Sequence, residues 1–180
     1  MIKLLILDVD GVMTDGTKYY DREGDVVLKI FCDKDWTAIK RFRAVGVHVV
    51  FITGDPYNEK ILKNRNLHVV VNRGKGFHSD KANYLDDILE EYECSAEETA
   101  YVGDDLFDIG IMRKVGYPIC VKNSPQIVKD NAKTMLVKGG NNVLMHLYES
   151  LEVKNLIPKL RYEDVIDKIY ELDLKKNFNV

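Results

Sequence analysis

Cysteine is scarce in this chain. Cys32, Cys94 and Cys120 are its three, widely spaced and without a Cys-x-x-Cys pair. That spacing argues against a disulfide framework or a cysteine zinc site, and leaves reduced thiols in a cytoplasmic protein as the expectation. Long apolar runs are missing too: none approaches the roughly 20 residues that span a bilayer. Met1-Ile2-Lys3 leads straight into a strand-like run, without the charged region, apolar stretch and cleavage site of a signal peptide. No membrane partner is expected. Nor is there an excess of charge of one sign. The net charge of −3 gives no general attraction to nucleic acid, which is not expected as a partner. An anionic substrate must then be held by local cations or by a metal. Internal repeats and low-complexity stretches are absent.

What is there suits one folded domain with a small appendage. The chain has 180 residues, 46% of them hydrophobic and 31% charged, enough to bury a core without covalent staples. Short apolar runs at 4–9, 47–53, 67–71, 99–102, 117–121 and 134–137 read as strands. Segments with helical spacing alternate with them, at 36–45, 57–66, 79–92, 106–115, 125–131 and 143–151. The tail at 161–176 carries Val165, Ile166, Ile169, Tyr170 and Leu172, an amphipathic helix pattern. The stretch 17–31 turns at Asp21-Arg22-Glu23-Gly24 and reads as a β-hairpin. This alternation predicts an α/β fold, a doubly wound, mainly parallel sheet covered on both faces, with a small hairpin insertion and a C-terminal helix. Residues 1–151 are expected to form the core and 152–180 a helical extension.

Ligands on such sheets bind beyond the carboxyl ends of the strands, and there the polar residues cluster. Asp8 and Asp10 follow the first strand, Thr53-Gly54 the second, and Gly103-Asp104-Asp105 the fourth, with Asp108 one turn on. Carboxylates converging on one rim repel one another, so a cation is their natural companion, and oxygen-only ligands favour Mg²⁺. A carboxylate can also attack phosphorus, and a lysine such as Lys81 can offset the charge of phosphoryl transfer. Taken singly, each acidic residue is also an ordinary helix cap or solvated loop residue. Their order and context favour chemistry.

Asp8-Val9-Asp10-Gly11-Val12-Met13-Thr14-Asp15-Gly16 resembles the first motif of the haloacid dehalogenase superfamily of phosphatases. Ile52-Thr53-Gly54 resembles the second, Asp80-Lys81 the third, and Gly103-Asp104-Asp105-Leu106-Phe107-Asp108 the fourth. The spacing is similar to the capless branch of 3-deoxy-D-manno-octulosonate 8-phosphate phosphatases and their sialic-acid-type relatives, which carry a hairpin after the first motif. The resemblance implies that Asp8 is the nucleophile and Asp10 the general acid and base. Asp8, the Asp10 main-chain carbonyl and Asp104 would hold Mg²⁺, with Asp105 and Asp108 in support. Thr53 and Lys81 would grip the phosphoryl group beside Gly54. Substrate contacts would come from Cys32, Asp33, Lys34, Asp35 and Trp36 after the hairpin, and from Asp55 and Lys63. The substrate would be a small phosphorylated sugar acid and the assembly a homotetramer.

The chain departs from that branch in three places. Asp55 stands where the octulosonate enzymes carry Arg, Trp36 where they carry Gly, and Gly139-Gly140 is followed by Asn141-Asn142 rather than Arg-Gly. Asp55 would repel a carboxylate, accept sugar hydroxyls, pair with Lys63 or simply cap the next helix. An acidic residue there is similar to the nine-carbon relatives, so a nonulosonate 9-phosphate is the alternative substrate. A non-catalytic binding protein on the same fold is the reading from another class, and the complete set of Asp8, Asp10, Thr53, Lys81 and Asp104 speaks against it. Among the remaining polar residues, His48 and His68 read as strand histidines and His146 as a helix residue. His78, Arg73 and Lys75 are candidate rim residues. Tyr19 and Tyr20 are candidate interface aromatics.

Overall fold

Leu4, Leu5, Ile6 and Leu7 are all fully buried, so strand β1 (Leu4–Leu7) has no solvent face and must lie inside a sheet covered on both sides. In the computed structural model, which describes residues 1–73 and 79–175, it does. β1 pairs in parallel with β4 (His48–Thr53) on one side and β6 (Thr99–Gly103) on the other. β5 (His68–Val71) extends the sheet beyond β4; β7 (Tyr117–Cys120) and the short β8 (Thr134–Met135) extend it beyond β6. The order is β5-β4-β1-β6-β7-β8, all parallel. The chain winds outward from β1 in one direction, then returns and winds outward in the other. The reversal lies between β1 and β6, where a ligand crevice is expected.

Alternate side chains enter two cores. Leu5 and Leu7 join Phe51 and Val102 against α1 (Asp33–Ala44) and α6 (Val143–Val153). Leu4 and Ile6 join Ile52 and Tyr101 against the opposite layer, which includes α3 (Leu85–Glu91) and α4 (Ile109–Met112). Helix α1 has Asp33 and Asp35 in its first turn and Arg41 and Arg43 in its last, charges that suit the helix dipole. Helix α2 (Pro56–Lys63) starts with proline in its first turn and Asp55 as its cap. A short helix α5 (Gln126–Lys129) precedes β8, and α7 (Tyr162–Leu174) lies along α1, where Lys40 meets Asp173 at 2.9 Å.

Two expected helices start differently. The segment expected as one helix over 79–92 opens as a 3-10 turn (Lys81–Tyr84) before α3, with the Asp80 carboxylate accepting from the Ala82 N–H at 2.9 Å. The segment 106–115 likewise opens as a 3-10 turn (Leu106–Asp108), and α4 is a single turn. Both turns sit under the crevice, where a side chain has been drawn inward. The hairpin is present but small: among the described residues β2 (Tyr19–Tyr20) and β3 (Val26–Leu28) pair only with each other. Among the described residues no helix is long and apolar enough to cross a membrane.

Candidate active site

The turn after β1 brings its chemistry to the crevice. The Met13 N–H donates to the Val9 carbonyl at 2.8 Å, and the Gly16 N–H donates to the Thr14 hydroxyl at 3.2 Å. Gly11 has φ +78°, a conformation that favours glycine, and a Cβ there would run into the Asp104 carboxylate and displace it. Gly139 and Gly140 serve the same turn from behind. A Cβ on Gly139 would strike the Gly11 carbonyl, and the Gly140 N–H donates to the Val12 carbonyl at 2.9 Å.

Asp8, at the end of β1, is 9% exposed, and its Oδ1 lies 3.0 Å from Lys81 Nζ. Lys81 also reaches Asp108 Oδ1 at 2.6 Å. Asp108 is fully buried, and both of its oxygens are in use. Oδ1 accepts from Lys81 and, at 2.6 Å, from the Tyr101 hydroxyl; Oδ2 accepts from the N–H groups of Asp104 and Asp105 at 2.7 and 2.9 Å. Oxygens of Asp8, Asp104 and Asp108 lie within 4.8 Å of one another. Only Asp108 has spent its acceptors, so it braces the cluster and leaves Asp8 and Asp104 facing the crevice. Among the described residues nothing donates to the Asp104 carboxylate.

Electrostatics express the crowding. Burial, and then the charges of Asp8, Asp108 and Asp105, lift Asp104 to about 8 against the pull of Lys81. Burial also raises Asp8, which Lys81 partly offsets and Asp108 reinforces. Lys81 itself is raised: burial works against its charge, but Asp8 and Asp108 outweigh it.

The third side of the crevice comes from β4 and α2. Thr53 is buried, and its hydroxyl accepts from Asn58 Nδ2 at 3.0 Å. Asp10 is partly exposed and turned toward the hairpin. Lys29 Nζ meets its two oxygens at 2.7 and 2.9 Å, and Asn58 Nδ2 donates to Oδ2 at 3.1 Å. Asp55 Oδ1 caps α2 at the Tyr57 N–H, while Oδ2 takes Lys18 and Lys29, each at 2.7 Å. Burial would raise Asp55, but its bonds from Lys18, Lys29 and the Tyr57 N–H prevail and hold it at about 2. Asp10, Lys18, Thr53 and Asp55 line a cavity of about 310 Å³ with Gly54, Asp105 and Arg73 on its walls, and Lys29 and Asn58 are outside its lining.

The structure therefore gathers Asp8, Asp10, Thr53, Gly54, Asp55, Lys81, Asp104, Asp105 and Asp108 at one crevice, as expected. Other expected contacts lie elsewhere. Asp35 is fully buried and accepts from the Leu144 N–H at 2.8 Å, so it joins α1 to α6 rather than touching a ligand. Trp36 is 4% exposed, with Phe31 at 5.3 Å and the Arg65 guanidinium 4.4 Å from its ring; its face is consumed by packing and cannot stack on a sugar. Lys63 is exposed and pairs with Glu59, not with Asp55. Cys32 donates to Asn142 at 2.6 Å, and Asp33 and Lys34 are exposed, all three outside the cavity lining. His68 bonds the Tyr92 hydroxyl at 2.7 Å, and His48 lies against the same ring. His78 and Lys75 lie outside the described residues.

Sequence reasoning missed Lys18, Lys29, Asn58 and Tyr101. The one available signal was Lys29 itself, a lone cation between Leu28 and Ile30-Phe31 in an otherwise apolar strand end.

An acidic crevice at the switch point of a parallel α/β sheet, with a buried lysine beside the strand-end aspartate, defines a class of phosphoryl-group hydrolases by its chemistry. The comparisons make it specific. Residues 76–146 match the family model described as haloacid dehalogenase-like hydrolase. The 3-deoxy-D-manno-octulosonate 8-phosphate phosphatase of Yersinia pestis is 33% identical over 79% of this chain and 75% of its own length. The cobalt-bound deoxy-D-mannose-octulosonate 8-phosphate phosphatase of Haemophilus influenzae superposes with a TM-score of 0.76 at 26% identity, over 86% of this chain and 90% of that one. The Moraxella catarrhalis phosphatase in complex with magnesium, phosphate and KDO gives 0.75 at 26% identity, over 86% and 88%. This chain belongs to the haloacid dehalogenase superfamily of phosphatases, within the capless branch that resembles the octulosonate 8-phosphate enzymes. It is a phosphatase.

Proposed function

We propose that this phosphatase hydrolyses a 2-keto-3-deoxy sugar acid phosphate of the octulosonate 8-phosphate type, through an aspartyl phosphate on Asp8. The observation that carries it is the pairing of Asp8 with buried Lys81, on a crevice whose other walls hold Asp10, Thr53 and Asp104. Asp8 attacks phosphorus while the bond to the sugar oxygen breaks, and the Asp10 carboxyl gives that oxygen its proton. Water then attacks the acyl phosphate, Asp10 takes the proton, and Asp8 is released with inorganic phosphate. Thr53 and Lys81 hold the phosphoryl oxygens meanwhile.

The residues fit a divalent cation, and Mg²⁺ is the one proposed: Asp8 and Asp104 present oxygen ligands, Asp104 accepts nothing else among the described residues, and Gly11 leaves room for the approach. When bound, such an ion neutralises charge on the transferring group. Asp108 and Asp105 would hold the loop that presents Asp104.

Asp55 favours a second substrate reading, a nonulosonate 9-phosphate, since a carboxylate lines the cavity where the octulosonate enzymes have Arg. With Lys18 and Lys29 both on Asp55, that carboxylate carries little net repulsion for a sugar acid, so both substrates stay in the test. The test is a phosphate-release screen with Mg²⁺ over octulosonate 8-phosphate, nonulosonate 9-phosphate, hexose phosphates and nucleotides, run on wild type and Asp8→Asn. A sugar acid phosphate is expected to lead the screen and Asp8→Asn to abolish turnover with the fold intact. Wild-type rates in Asp8→Asn would remove the assigned nucleophile; preference for a hexose phosphate or nucleotide would remove the substrate class.

A further inference from the structure

The hairpin meets the crevice through two lysines: Lys18 lines the cavity, and Lys29, outside that lining, holds Asp10 and Asp55. Lys29 follows β3, and its side chain is fully shielded from solvent. A buried ammonium is tolerated only when its charge and all three N–H groups are matched. Here three groups supply the acceptors: Asp10 with both oxygens at 2.7 and 2.9 Å, Asp55 Oδ2 at 2.7 Å, and Asn58 Oδ1 at 2.8 Å. Asn58 is shared. Its amide nitrogen donates to Asp10 Oδ2 and to the Thr53 hydroxyl. Lys29 and Asn58 thus fix the Asp10 carboxyl from two sides, and Asn58 links that carboxyl to the residue proposed to grip the phosphoryl group. Lys18 adds a weaker contact with Asp10 at 3.2 Å.

We infer that Lys29 is the positioning residue for Asp10: it holds the carboxyl where proton transfer to the leaving oxygen takes place. The inference rests on the acid–base role proposed for Asp10. Two facts set this arrangement apart from simple hairpin anchoring. Lys29 engages both Asp10 oxygens while Asn58 donates to one of them from another direction, so the two side chains together fix the orientation of the carboxyl and not merely its location. And the anchoring needs are already served by Asp55, which Lys18 also holds. Lys29 touches neither Asp8 nor Lys81 among the contacts present, so nucleophilic attack is not its business. Losing it should slow only those steps in which Asp10 moves a proton.

Leaving groups separate the two. An alkyl oxygen needs a proton as its bond to phosphorus breaks, whereas the acidic phenol of p-nitrophenyl phosphate departs with little help. The measurement is the rate of Asp8 phosphorylation in a single pre-steady-state turnover of Lys29→Met, by rapid quench with octulosonate 8-phosphate and by the p-nitrophenol burst with the aryl ester. Phosphorylation from the alkyl ester is expected to fall about 10²-fold, within the usual range for general acid catalysis. KM and the aryl burst rate are expected to stay within about threefold of wild type. Lys29→Gln, which keeps a donor of similar reach, should fall between the two and serves if the Met variant fails to fold. Equal losses on both esters, or no loss on either, would overturn the inference. Asp10→Asn in the same assay separates the two levels. If it keeps the alkyl rate, the reading of Asp10 is wrong; if it loses the rate while Lys29→Met does not, only the role of Lys29 is.

Discussion

Asp104 and Asp108 sit four residues apart on one loop and end in opposite situations. Asp108 is fully buried with its oxygens consumed by Lys81, Tyr101 and two backbone N–H groups. Asp104 accepts nothing among the described residues and is pushed to about 8, first by burial and then by its acidic neighbours. A group so placed gains most from a bound cation. Asp104→Asn is expected to weaken Mg²⁺ binding at least tenfold by calorimetry and to leave the fold unchanged; equal affinity in the variant would remove Asp104 from the ligand set. The aspartates themselves were legible in the sequence because each follows a strand at a motif position. Tyr101, Asn58 and Lys29 were not, since a tyrosine inside a strand, an asparagine in a first helical turn and a lysine after a hairpin strand all have bland uses. Only the fold brings Lys29 within 2.7 Å of a residue nineteen positions earlier.

At the scale of elements, periodicity located every sheet strand, and the helices around them; the central strands β1, β4 and β6 are buried and read as apolar runs, and the outer β5 and β8 were found although they are less buried. It misjudged the starts of the two segments under the crevice, where Lys81 and Asp108 turn inward and tighten the first turn to a 3-10 geometry. The family resemblance, in turn, implied substrate contacts from the stretch after the hairpin. The structure uses Asp35 there to tie α1 to α6, with Oδ1 on the Leu144 and Met145 N–H groups and Oδ2 without a hydrogen-bond partner among the described residues. Burial raises this carboxyl from 3.8 to about 6, despite the backbone N–H groups that favour its charge. The folded state therefore binds the proton more tightly than the unfolded chain. Its contribution to stability is fully present below pH 3.8 and is lost as pH rises through about 6. A shift of about two units corresponds to roughly 3 kcal/mol as an upper bound. The unfolding free energy of wild type relative to Asp35→Asn should therefore fall by up to that amount between about pH 4 and about pH 8. Denaturant titrations of both proteins across the range check this, and a difference independent of pH would show that Asp35 is not the group responsible.

The whole molecule leaves one element short of partners. Among the described residues the hairpin strands pair only with each other, and a two-stranded ribbon is marginal in water. It is pinned to the body by Lys18 and Lys29, yet five of its large apolar side chains stay open to solvent: Tyr19 is 50% exposed, Tyr20 59%, Val27 53%, Leu28 49% and Ile30 62%. Five exposed large apolar side chains on so small an element are more than soluble monomers usually leave uncovered. A second copy of the same hairpin is the occupant we propose, because a self-complementary apolar face suits the symmetric contacts of homo-oligomers. One such contact per chain makes a dimer, and a second, different interface is needed to close the homotetramer expected from the family resemblance. The consequence reaches the chemistry, since the hairpin that would be buried between copies is also the one that carries Lys29 to Asp10. Sedimentation velocity at micromolar concentration should show a tetramer for wild type and smaller species for a Tyr20→Glu, Ile30→Glu double variant. That variant should also lose activity on the sugar acid phosphate at least tenfold, as its hairpin loosens. A monomeric wild type would leave the patch without its proposed partner, and a dissociated variant with full activity would break the link between assembly and the placement of Lys29.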